Sequence, residues 1–89
     1  MAYEVRLSPR AERQLERVPG HDLDRILAGL RLLSDNPRPR GVKKLRARVP
    51  AWRIRVGNYR IICSVFDPDR LVVIDAVLRR TTTTYSDID

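Results

Sequence analysis

The chain has 89 residues, a formal net charge of +7 and a sequence pI near 10.7, which bounds it to one small domain and excludes a multidomain enzyme. Apolar residues at 43% and charged residues at 33% fit a globular protein rather than a disordered or fibrous one. No apolar run approaches the roughly 18 residues that cross a bilayer, the first residues lack an apolar leader, and one cysteine builds no disulfide framework, so a cytoplasmic protein without membrane contact is expected.

Tyr3, Val5 and Leu7 alternate with polar residues and read as a first strand. Ser8-Pro9 opens a helix, with Ser8 as N-cap and Pro9 at the first helical position. Ala11, Leu15 and Val18 form its apolar stripe, and Pro19-Gly20 stops it. Asp22 is the expected N-cap of a second helix, whose stripe is Leu23, Ile26, Leu27, Leu30 and Leu33 and whose end is Asn36-Pro37. Gly29 inside it points to a close approach between the two helices. Residues 37–41 read as a basic loop, and Lys43 to Arg48 as loop or as the frayed start of a strand.

The segment Trp52-Arg53-Ile54-Arg55-Val56-Gly57-Asn58-Tyr59-Arg60 reads as a β-hairpin closed by a two-residue Gly-Asn turn. That loop sets Val56 opposite Tyr59, Arg55 opposite Arg60 and Ile54 opposite Ile61. Strand alternation then gives one face to Trp52, Ile54, Val56, Tyr59, Ile61 and Cys63, and the other to Arg53, Arg55 and Arg60. Cys63 is expected to be a small buried core residue, and Trp52 to pack on the apolar side. Like charges opposite one another destabilise a ladder, so three converging guanidiniums point to an anion. Asp67 to Arg70 reads as a turn, and Leu71 to Leu78 as a nearly all-apolar last strand, central in the sheet. Pairing Phe66 with Leu71 puts Leu71, Val73, Asp75, Val77 and Arg79 on the arginine face. A bulge, or a strand ending early, would bring Arg80 there instead. The element order β-α-α-β-β-β implies an α+β domain spanning residues 1–89, with 85–89 a short polar tail. A mostly antiparallel four-stranded sheet would carry the helical hairpin on one face and leave the arginine face open to a ligand.

Charge is distributed unevenly. Residues 36–66 hold nine cations (Arg38, Arg40, Lys43, Lys44, Arg46, Arg48, Arg53, Arg55 and Arg60) and no acid. Only two cations in the chain are lysine, and arginine's planar fork suits phosphate. A basic stretch of this kind is the footprint of nucleic-acid binding, with Lys43, Lys44, Arg46 and Arg48 expected on backbone phosphate. The sequence offers no Cys/His spacing or carboxylate cluster for a metal, and no cofactor is expected.

The strand, the helical hairpin, the basic "K-K-L-R", the "W-R-I-R-V-G-N-Y-R-I-I" and the late "R-R…Y" together resemble the RelE/ParE toxin superfamily of bacterial toxin–antitoxin modules, over about residues 2–85. RelE-like members cleave mRNA in the ribosomal A site, whereas ParE-like members poison DNA gyrase and lack the nuclease residues. Carried over by position, the RelE-like site falls on Arg53, Arg55, Arg60, Arg80 and Tyr85, with Arg79 as the alternative to Arg80 and as a further RNA contact. The resemblance implies a RelE-like fold, an endoribonuclease acting through the neighbouring 2′-hydroxyl, a cognate antitoxin, and mRNA and the ribosome as further partners. It implies a monomeric toxin that enters larger complexes with its antitoxin. The family often has lysine where Arg53 and Arg55 stand, and arginine is a poor general base, so these two would act through charge alone.

Overall fold

The computed structural model describes residues 2–38, 43–45 and 51–79. The elements run β1 (Glu4–Leu7), α1 (Pro9–Glu16), α2 (Gly20–Asp35), β2 (Lys43–Leu45), β3 (Ala51–Val56), β4 (Tyr59–Phe66) and β5 (Leu71–Arg79). They form the expected α+β domain. The sheet has five strands in the order β1-β5-β4-β3-β2, one more than the four expected, because Lys43–Leu45 pairs as a short edge strand. Every pairing is antiparallel except that of β1 with β5, which is parallel: the helical hairpin carries the chain from β1 to β2 at the opposite edge, and β5 returns beside β1 after three antiparallel steps. β4, not β5, is the middle strand and has six of its eight residues buried.

Local chemistry explains the joints. The Ser8 hydroxyl accepts a hydrogen bond from the Ala11 N–H at 3.1 Å and caps α1 as expected. α2 starts earlier than expected: Pro19 is its N-cap residue, without a side-chain cap, and Asp22 lies in the first turn, where a carboxylate faces the positive end of the helix dipole. Gly57 opens the β3–β4 turn with φ +56°, the conformation in which glycine carries no Cβ penalty. The register is the one the hairpin predicts, with Val56 opposite Tyr59, Arg55 opposite Arg60 and Ile54 opposite Ile61.

The core lies between the helices and one face of the sheet. Ala11 and Leu15 of α1 and Ile26, Leu30 and Leu33 of α2 meet Tyr59, Ile61, Cys63, Val65, Val72, Ile74 and Val77. Each fully buried Leu, Ile or Val contributes about 1.5–3 kcal/mol relative to exposure. Val5, Leu7, Trp52, Ile54 and Val56 pack around this centre. Gly29 does mark a close approach, but to a strand rather than to α1: a Cβ there would meet a Val56 methyl at 3.2 Å.

Candidate nucleic-acid interface

The pairings bring four cations to one face. Lys43 of β2 stands opposite Arg53 of β3, and Arg55 of β3 stands opposite Arg60 of β4. Directly opposed residues share a side of the sheet with Cβ atoms about 4.5–5.5 Å apart, so the sheet concentrates positive charge that the sequence spreads over 18 positions.

The face is not uniformly open, which corrects the expectation. Arg55 and Lys43 are exposed, but Arg53 is only 6% and Arg60 only 1% accessible. Arg60 lies on the middle strand, between Arg55 on one side and Leu78 on the other. Arg53, Arg55 and Arg60 all interact with other groups of the protein. The arrangement is therefore one reachable guanidinium, Arg55, backed by two that are buried.

The far end of β5 departs from simple alternation. Ile62 pairs with Ala76 and Cys63 with Ile74, which leaves Asp75 as the extra residue of a bulge. Before the bulge, Leu71 and Val73 lie on the arginine face as expected, and the Asp75 carboxylate reaches Ser64 on that face, accepting from its hydroxyl at 2.7 Å. After the bulge the parity changes. Val77 joins the core, Leu78 stands opposite Arg60, and Arg79 stands opposite Tyr59 on the helix side. Arg79 thus does not join the arginine cluster. Arg46, Arg48, Arg80 and Tyr85 lie outside the described residues.

Lys44 and Lys43 point to opposite sides. Lys44 pairs with Trp52, and its ammonium lies 5.8 Å from the centre of the Trp52 ring. The Arg38 guanidinium lies 5.1 Å from the same ring and makes hydrogen bonds of 3.1 and 2.7 Å to the two Asp67 carboxylate oxygens. The Tyr3 hydroxyl donates to Asp67 at 2.7 Å. Arg38 holds the Asp67 carboxyl below its usual range, with Tyr3 adding to the effect, while the bond to Asp67 pushes the Tyr3 hydroxyl up. Sequence reasoning missed this cluster. Its members are separated by 29 and 64 residues, and no local pattern announces it.

Cys63 is fully buried, and burial pushes its thiol up to about 12, which suits a core residue and not a nucleophile. Among the described residues, no three or more His, Cys, Asp or Glu side chains come together in a group that could hold a metal. No described helix is long and apolar enough to cross a membrane.

Comparison with known proteins adds an independent line. The model of the ParE toxin of type II toxin–antitoxin systems matches residues 5–83. Over 83 residues the chain is 26% identical to a protein of Methanocaldococcus jannaschii named as toxin RelE1, covering 90% of this chain and 92% of that one. Among solved structures, the archaeal RelE–RelB complex of Pyrococcus horikoshii contains a chain that superposes with a TM-score of 0.83 at 28% identity, covering 93% of this chain and all of that one. A chain of the toxin–antitoxin complex RelBE2 of Mycobacterium tuberculosis gives 0.79 at 30% identity, covering 90% and 100%.

Proposed function

We propose that this chain, which belongs to the ParE toxin family of type II toxin–antitoxin systems within the RelE/ParE superfamily, arrests growth by cutting mRNA. The observation that carries the reading is the cation cluster on the β2–β4 face, with Arg55 opposite Arg60 and Lys43 opposite Arg53.

In the proposed reaction the 2′-hydroxyl oxygen attacks the adjacent phosphorus. The bond to the 5′-oxygen breaks, leaving a 2′,3′-cyclic phosphate and a new 5′-hydroxyl. The 2′-hydroxyl proton leaves to solvent, because arginine stays protonated and cannot take it. The 5′-oxygen departs with a proton supplied from solvent. Negative charge grows on the phosphorane, and preorganised cations stabilise it there more than in the ground state. Arg55, exposed, contacts the scissile phosphate, and Arg53 and Arg60 act as fixed positive charge behind it. Arg80 stabilises the leaving 5′-oxygen, and Tyr85 stacks on a base or orients the 2′-hydroxyl. The ribosomal A site supplies the bound mRNA, which places the activity in the cytoplasm. A cognate antitoxin holds the toxin silent, in line with the RelE–RelB and RelBE2 complexes of its relatives.

The rival reading is a gyrase poison without nuclease activity. It is favoured by the match to the ParE toxin model and by the burial of Arg53 and Arg60. Induced expression of the chain alone in a bacterium, with pulse labelling and mapping of mRNA 5′ ends, separates the two. The nuclease stops translation first and leaves new 5′ ends inside coding regions. A halt in DNA synthesis with intact mRNA overturns it in favour of the gyrase reading.

A further inference from the structure

A second basic surface lies away from the arginine face of the sheet. α1 carries Arg10 and Arg13, and Arg17 is its C-cap residue; at i, i+3 and i+7, all exposed, the three share one side of the helix. Together with Gln14 they line a cleft of about 210 Å³. Ala11 and Leu15 turn inward, and the acids Glu12 and Glu16 occupy a different arc. Among the described residues, none of Arg10, Arg13, Arg17 and Arg79 forms an ion pair with a carboxylate. Arg17 also lines the adjoining groove, of about 400 Å³, with Leu78 and Arg79. Leu78 is the residue opposite Arg60, so this surface runs from α1 to the edge of the arginine face.

We propose that Arg10, Arg13 and Arg17, continued by Arg79, bind the phosphate backbone of a structured RNA beside the candidate site. Two features select a polyanion over an acidic protein. The α1 cleft is lined by Arg10, Arg13, Gln14 and Arg17, without the apolar or aromatic anchors on which protein interfaces centre; such residues, Val18, Tyr59 and Val77 among them, enter only in the adjoining groove. The cleft's cations are all arginine, whose forked donors match phosphate oxygens as they match carboxylates. They recur along about 10 Å of helix, from Arg10 to Arg17, which suits a repeating charge better than a single carboxylate. The choice of RNA over DNA rests on the function proposed above; the phosphate contact does not.

The test uses the purified full chain and a fluorescein-labelled RNA hairpin whose 2′-hydroxyls are methylated, so that binding is read without cleavage. Arg10→Gln, Arg13→Gln and Arg17→Gln are combined in one variant, with circular dichroism and thermal melting as checks on folding. The variant is expected to bind at least tenfold more weakly at moderate salt. The slope of log affinity against log salt should fall by about two to three, since each of the three lost phosphate contacts removes roughly 0.7–0.9. A variant with lysine at the same three positions should keep most of that slope. Unchanged affinity and slope in the glutamine variant overturn the proposal. So does retained RNA binding together with lost binding of polyglutamate, which would assign the surface to an acidic protein. Because the hairpin cannot be cut, failure of the nuclease reading leaves this result unaffected.

Discussion

Arg55 and Arg60 face each other across two strands but differ in what they can touch. Arg55 is exposed and Arg60 is 1% accessible. Substitution of Arg55 removes charge at the surface and should leave folding within about 0.5 kcal/mol of the parent. Arg55→Ala is therefore expected to lower mRNA cleavage by roughly 10²–10³-fold, the usual cost of one lost charge-stabilising donor, with an unchanged melting temperature. Cleavage at the parental rate would remove Arg55 from the site. Arg60→Ala, in contrast, opens space on the middle strand and removes interactions of a buried cation, and should cost about 1–3 kcal/mol in urea denaturation. Toxicity of that variant has meaning only beside its stability. Cys63 gives a cleaner reading of the core. With its thiol pushed up to about 12 by burial, it should resist alkylation by iodoacetamide at pH 8 and react only in denaturant. The raised value also means that its share of stability is complete below the ordinary thiol range and is lost as pH climbs toward 12. Fast labelling of the native protein would show that strand β4 opens readily.

Where β1 ends, side chains of α1 continue its work on the edge of β5. The Ser8 N–H donates to the Ile74 carbonyl at 2.9 Å, and the Ser8 hydroxyl donates to the Asp75 carbonyl at 3.0 Å. Gln14 accepts the Val77 N–H at 2.6 Å. On the other side of the strand, Ser64 donates to the Asp75 carboxylate. The bulge is thus held from both sides, and it determines which residues of β5 face Arg60. Ser8 has two tasks, as N-cap and as donor to the bulge. Ser8→Ala should therefore cost about 1–2 kcal/mol in urea denaturation, toward the upper part of the range for a lost cap, because the Asp75 carbonyl loses its partner as well. A loss below a few tenths of a kcal/mol would show that water replaces both bonds.

These contacts also explain what the sequence could and could not disclose. The Ser8 cap, the Gly57 turn and the β3–β4 register are local, and each follows from a few adjacent residues. The parity of Val77 and Arg79 is not local. It depends on Ser8 and Gln14, more than 60 residues earlier, meeting the β5 backbone. Alternation along an uninterrupted strand therefore put both residues on the wrong face. Burial of Arg53 and Arg60 was hidden for a similar reason, since the one-dimensional pattern marks a charged residue as a surface residue. At β2 three residues carry too little periodicity to distinguish a strand from a loop.

The domain is tied together at one corner by Arg38, Asp67, Tyr3 and Trp52, which come from the exit of α2, the β4–β5 turn, the residue before β1, and β3. Arg38 stands just before residues 39–42, and Lys44 lies two residues after them; both sit over the Trp52 ring. The corner therefore holds both flanks of a segment within the basic stretch. Its pH response follows from the titrating groups. Asp67 is held below its usual range by Arg38 and Tyr3, so its contribution is present above about 3.9, the unfolded carboxylate value, and fades as pH falls through the lower folded value. Tyr3 is pushed up, so its contribution is complete below about 10 and fades as pH rises beyond. Trp52 is the only tryptophan and reports on the corner directly. On acidification its emission should shift before the far-ultraviolet circular dichroism falls, because the ion pair is exposed and the core is not. Asp67→Asn should abolish the early shift and flatten the acid limb of melting temperature against pH. Tyr3→Phe should flatten the alkaline limb and leave the acid shift in place. Coincident fluorescence and dichroism transitions in the parent protein would show that the corner opens only with the whole domain. Separate transitions would show that the flanks of the basic segment are released while the sheet stays folded.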